Sequence, residues 1–439
     1  MNTKVVSLLC TCVFVVGAFA ADTGKILYST HLAGVSLQGI AVDWHGNVYV
    51  TGAGSSPGIF VAKLNPAGRL MYSRYIGGTQ NDNSGIAVDW HGNVYVTGAT
   101  SGGLATTPNA FRPTLNDSCF FGVVSDAFVV KLDRGGNVMY ATYLGACNVA
   151  GTNITVDLRD NAYVTGLVAA GLFPPEFPAT PDALNSAGCG EFCGFVAKLD
   201  PTGASLLYGT YFGTFDVFVT DIAVDLSGEA YVVGTASPPP GGVPTTLNAF
   251  EPNWPALGST CPGFGPFAFA AKLNTTGTAL VYGTYLGGGG SFADDDCNAS
   301  TAAGVAVDLE GNAYVVGSTL ASFPTTPTSV QPTYGGGTSN GFLTKLNPGG
   351  RSLVYSTYIG SGSVATGVGV DLLNNADVVW GSSGAPDARV AHVNASGTTL
   401  VDLGIASAQD AGNVKIAVDY FGNIYVATFD GSVTKIAAK

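Results

Sequence analysis

The chain has 439 residues with a formal net charge of −13; only 11% of its residues are charged, while 62 are glycine. Seventeen Lys and Arg against 30 Asp and Glu exclude partners held by phosphate charge, nucleic acid and anionic membrane surfaces alike. Low charge with abundant glycine points to many short strands and tight turns.

The first twenty residues stand apart. Lys4 precedes an apolar run from Val5 to Ala20, and Ala18, Phe19, Ala20 form a small-x-small cleavage pattern, so residues 1–20 read as a secretory signal peptide. Lipid attachment at Cys10 or Cys12 is disfavoured by Leu9 and Thr11 before them. No later segment is apolar for long enough to span a bilayer. The expectation is a secreted, periplasmic or cell-surface protein without membrane insertion, monomeric, whose residues 24–439 form one domain.

A strand-like LYSTHLAG at Leu27 is followed by a phrase that recurs seven times, with copies starting at residues 40, 86, 154, 222, 305, 368 and 416. The first copy, IAVDWHGNVYVTG, reads as strand, turn, strand. Its Asp column (Asp43, Asp89, Asp157, Asp225, Asp308, Asp371, Asp419) opens the turn, where a carboxylate accepts local backbone N–H bonds; a residue required in every repeat belongs to the scaffold. Three residues on, Gly46, Gly92, Asp160, Gly228, Gly311, Asn375 and Gly422 supply the types that tolerate a left-handed backbone. After each hairpin come FVAKL-like and YSTYLGG-like strands, the sixth and seventh copies worn. The seventh copy lacks its fourth strand, and the strand at Leu27 is the spare that completes it. The result is an all-β, seven-bladed propeller of four-stranded antiparallel blades, closed by the N-terminal strand, with the first strand of each blade innermost.

These blocks resemble the bacterial seven-bladed β-propeller repeat family, whose units run as GIAVD, GNAYVTG, FPTTP, FVAKL and YSTYLGG. The FPTTP element stands here as ATTPNAF at Ala105, FPATPDAL at Phe177, VPTTLNAF at Val243 and FPTTPTSV at Phe323. The resemblance implies the fold and export, and carries no catalytic residue set.

In an oxidising compartment the six cysteines beyond the leader read as disulfides. Cys119 and Cys147 occupy two loops of the second repeat, Cys261 and Cys297 the same two places in the fourth, and Cys189 with Cys193 form a local pair in CGEFC. Metal binding by these thiols is disfavoured, because neither CxxC nor a His partner accompanies them.

Subtracting the repeat columns leaves little for chemistry. His45 and His91 share one variable turn position, His31 replaces a Tyr of YSTY, and His392 replaces the Lys of FVAKL, so neither a Ser-His-Asp triad nor a His-rich metal centre has a free donor. Insertions at 99–127, 167–194, 235–268 and 318–341 lie on one face, with Trp254 and Phe264 as candidate ligand contacts. Asp294, Asp295 and Asp296 with Asn298 offer clustered oxygens of the kind Ca²⁺ selects, against the simpler reading of a solvated acidic loop; no other cofactor is expected. The chain therefore reads as a binding or scaffold module for a cell-surface protein or a polysaccharide, engaged through the long loops. The alternative is an extracytoplasmic lyase or hydrolase working at the central channel.

Overall fold

The structure is a computed structural model that describes residues 24–77, 84–115, 125–145, 148–169, 177–237, 242–253, 266–287, 299–382, 387–407 and 413–437. Seven four-stranded antiparallel sheets follow one another along the chain as blades 1 to 7, with no helix among the described residues. Blades 1 to 6 span 35–76, 85–143, 149–212, 217–286, 300–359 and 364–407. Blade 7 takes Lys415–Val418, Ile424–Ala427 and Ser432–Ile436 from the C-terminus, and its outer strand is Ile26–His31, paired from Ile26 opposite Ile436 to His31 opposite Ser432. The ring is closed as the repeat count requires.

Each turn between the first two strands is built by its Asp. In blade 1, Asp43 Oδ1 accepts the N–H groups of His45 (3.0 Å) and Asn47 (2.9 Å), while Asn47 Nδ2 donates to Oδ2 (2.8 Å). The left-handed position behind it is Gly46, Gly92, Asp160, Gly228, Gly311 and Gly422 in six blades, with φ from 64° to 84°. In blade 6 it is Asn374 (φ 64°) and not Asn375. Asn375 instead takes the place of Asn47, donating Nδ2 to Asp371 Oδ2 at 2.8 Å, so the turn keeps the register of the other blades.

The apolar core lies between blades. Each cluster joins side chains of neighbours, as where Tyr95, Ala127 and Val129 of blade 2 pack with Val149, Ile154 and Phe195 of blade 3. The described parts of the long insertions extend this packing. Phe323 stacks on Phe342 (4.4 Å) and Phe177 on Phe195 (4.6 Å). Thr326 N–H bonds the outer strand of its own blade at Ser356 O (2.9 Å), and Val330 N–H reaches the last turn of the next blade at Gly397 O (3.0 Å). Equivalent bonds run from Phe111 to Gly203 O, Leu184 to Gly277 O and Phe250 to Gly350 O, so the FPTTP segments staple blade to blade.

Candidate functional site

The seven inner strands surround a central channel, and a cavity of about 820 Å³ opens from its long-loop end. In five blades a β-bulge doubles one residue of the inner strand (Gln38, Thr152, Thr220, Ala303 or Thr366) immediately before a ring of residues at the channel. A bulge re-aims the side chains beside it. The threonine hydroxyls so placed bond the next blade, Thr220 Oγ1 to Ala302 O and Thr366 Oγ1 to Val414 O, each at 2.9 Å.

The ring itself is one repeat column, and it is asymmetric. Blades 1, 2, 5 and 6 contribute Gly39, Gly85, Gly304 and Gly367; blades 3, 4 and 7 contribute Asn153, Asp221 and Lys415. Asp221 Oδ2 accepts Val305 N–H of blade 5 (2.8 Å), and Oδ1 accepts Ile222 N–H (2.8 Å) and the Asn153 side-chain amide. Burial pushes the Asp221 carboxyl up to about 6 against the pull of these donors and of Lys415. A Cβ on Gly85 would stand 2.7 Å from the Asn153 Cα, so the glycine makes room for its polar neighbour. The signal was present in the sequence, as three polar exceptions in a glycine column, but subtraction by repeat discards a column whole.

The opposite end of the ring carries the short turns, and the residue after each Asp is exposed and apolar: Trp44 (51%), Trp90, Leu158, Leu226, Leu309, Leu372 and Tyr420. Phe421 adds to blade 7 and Leu373 to blade 6, each 74% exposed. Blades 7, 1 and 2 are neighbours, so Tyr420, Phe421, Trp44, His45, Trp90 and His91 stand on three consecutive turns as an aromatic arc. Trp44 Nε1 donates to Trp90 O at 2.9 Å, and the His45 ring lies 3.5 Å from the Trp44 ring. Large exposed apolar side chains gathered on neighbouring blades mark an interaction surface.

At the end of this arc His91 turns away from His45. Its Nδ1 lies 3.5 Å from Asp160 Oδ2, and Asp89, His91 and Asp160 gather within 4.8 Å. Asp160 is a carboxylate in the glycine position, its carboxyl raised by burial and by Asp89. Lys131 Nζ stands 3.8 Å from Asp89 and 4.0 Å from Asp160, where it already supplies the positive charge that a metal ion would bring. The trio is therefore an ion-pair cluster with an accessible imidazole.

In blade 6, His392 Nδ1 lies 2.8 Å from the buried carboxylate of Asp377. Glu251, on the blade 4 insertion, accepts Gly287 N–H at 3.0 Å, and burial pushes its carboxyl up to about 7. Cys189 and Cys193 form a disulfide with Cα atoms 6.1 Å apart. Cys119, Cys147, Cys261, Cys297, Trp254, Phe264, Asp294, Asp295, Asp296 and Asn298 lie outside the described residues.

The family model described as β-propeller repeat matches residues 72–105 and 281–324. Among solved structures, hydrazine synthase of Kuenenia stuttgartiensis is similar with a TM-score of 0.51 at 10% identity, over 93% of this chain and 98% of that one. The WD40 β-propeller domain of Doa1 gives a TM-score of 0.49 at 8% identity, over 94% and 97% of the two chains. At 10% identity the likeness to hydrazine synthase is one of fold alone. No curated protein matches the chain.

Proposed function

We propose that this seven-bladed β-propeller repeat protein is an exported binding module, its residues 1–20 removed as a signal peptide and residues 24–439 forming one ring, that holds a polysaccharide on the aromatic arc of its short-turn face. The observation that carries the reading is the arc itself. Tyr420, Phe421, Trp44 and Trp90 stay exposed on three consecutive blades, with Trp44 oriented by its hydrogen bond to Trp90. Flat C–H faces of sugar rings fit flat aromatic faces, and a platform oriented in advance loses little entropy when it binds. His45 and Arg159 sit beside the arc as polar partners for hydroxyl groups. The long insertions face the other way, and their described parts are engaged in stapling blades, so the ligand is assigned to the turn face.

The trio Asp89, His91 and Asp160 favours a second reading, an extracytoplasmic hydrolase or lyase acting on the same ligand: a raised carboxyl beside an imidazole is a proton-transfer pair. One experiment separates the two. On a glycan array and in polysaccharide pull-downs, Trp44→Ala with Trp90→Ala is expected to weaken capture at least about tenfold, with circular dichroism unchanged. His91→Ala is expected to change capture little; release of new reducing or unsaturated ends that disappears in His91→Ala supports the enzyme. Capture that survives loss of both tryptophans removes the arc from the reading.

A further inference from the structure

We infer that the channel cavity at the long-loop end is a separate binding site for a small zwitterion of the α-amino acid type, its carboxylate held by Lys415 and its ammonium by Asp221. The site lies at the other end of the ring from the aromatic arc, so it stands or falls independently of the polysaccharide reading.

The charge distribution of the waist carries the inference. Among the described residues lining the cavity, Asp221 is the only carboxylate and Lys415 the only ammonium. They occupy the same column in blades 4 and 7, three blades apart one way and four the other, which is as far apart as a seven-membered ring allows. The Lys415 ammonium has no hydrogen bond or ion pair among the described residues, although its charge is felt at Asp221. An incoming carboxylate would give this half-exposed ammonium a charge-assisted partner. At the opposite wall, Asp221 is oriented by two backbone N–H groups and the Asn153 amide, and burial raises its carboxyl to about 6, so an ammonium placed there would stabilise its ionised form.

The rest of the cup fits a small, partly polar guest. Thr220 and Thr366 commit their hydroxyl protons to the next blade, leaving oxygen acceptors toward the lumen. Below the charged ring the lining turns apolar with Ile40, Ile86 and Ile416, which suits a short hydrocarbon side chain. A volume of about 820 Å³ admits an amino acid with several waters.

Isothermal titration calorimetry of the intact protein against the common α-amino acids, their N-acetyl derivatives and the matching amines tests this. At least one amino acid is expected to bind with a submillimolar Kd, its acetylated and decarboxylated analogues at least about tenfold more weakly. Lys415→Met is expected to lose at least about tenfold with unchanged melting, since that side chain holds nothing in the fold; Asp221→Asn should lose the preference for a free ammonium. Binding of no amino acid, equal binding of the acetylated forms, equal binding of glucuronate, or undiminished binding to Lys415→Met would each overturn the assignment.

Discussion

In six blades a lysine ammonium lies 4.7 to 4.9 Å from the centre of a tyrosine ring, near the Asp of the first turn. In blades 1 to 5 that tyrosine also links blades, its hydroxyl shared between its own Asp and a turn carbonyl of the next blade, such as Gly228 O at 2.9 Å from Tyr163. Blade 6 changes both partners at once, to Asp377 and His392. The exchange is compensated, because burial raises the Asp377 carboxyl and the adjacent His392 draws it back down. The inter-blade bond to blade 7 is lost with the tyrosine, and one Asp377 oxygen is buried without a hydrogen-bond partner. Removing one member of a buried pair costs about 3 to 5 kcal/mol. His392→Ala is therefore expected to lose stability of that order in urea unfolding at pH 8. A carboxyl raised in the folded state is penalised above its folded pKa and relieved below it, so the deficit should shrink as pH falls toward 4. A deficit that does not change with pH would show that His392 acts by packing alone. Asp377→Tyr combined with His392→Lys should restore the missing link and melt above the wild type, by about 1 kcal/mol for one hydrogen bond.

At the scale of elements, the insertions act as braces between blades. Phe323 is buried against Phe342 and Tyr358, whereas Leu247 of the equivalent blade 4 insertion is 95% exposed. Phe323→Ala should cost about 3 to 5 kcal/mol and Leu247→Ala almost nothing, read from the shift in denaturation midpoint. Comparable effects would mean that the segment docks through its backbone alone. The strands, their order and the Asp turns were legible because each depends on a pattern repeated seven times: one alternation, one carboxylate, one left-handed residue. The channel site was not. Whether Asn153 and Asp221 point into the lumen depends on bulges in the inner strands, and no residue type announces a bulge. The aromatic arc was hidden for a related reason. Trp44, Trp90 and Tyr420 fill a column that is apolar in every repeat, and only the geometry of the turn makes that column face water.

At the scale of the whole molecule, the four blades whose insertions carry the FPTTP segment have clothed outer edges, and the burden of closure falls on the remaining ones. Blade 7 has only three strands of its own, and Ile26–His31 supplies the fourth. That strand also ties blade 7 to blade 1: Tyr28 is buried in the cluster that holds Val48, Phe60 and Tyr425, and Thr30 Oγ1 donates to Gly68 O at 2.7 Å. Gly68, with φ 76°, packs so closely that a Cβ there would lie 2.5 Å from the Tyr28 ring. Deleting residues 24–34 removes a side chain from the core, opens the ring at one seam and leaves Ser432–Ile436 as a bare edge whose backbone groups are free to pair with another chain. The loss is expected to exceed that of any single substitution above, because the ring stores its cooperativity in closure, and the truncated protein should aggregate or melt early and broadly. Adding the 24–34 peptide in trans should recover part of the melting temperature. A truncated chain that stays monomeric by light scattering and melts as the intact one does would show that six complete blades hold the ring without its clasp.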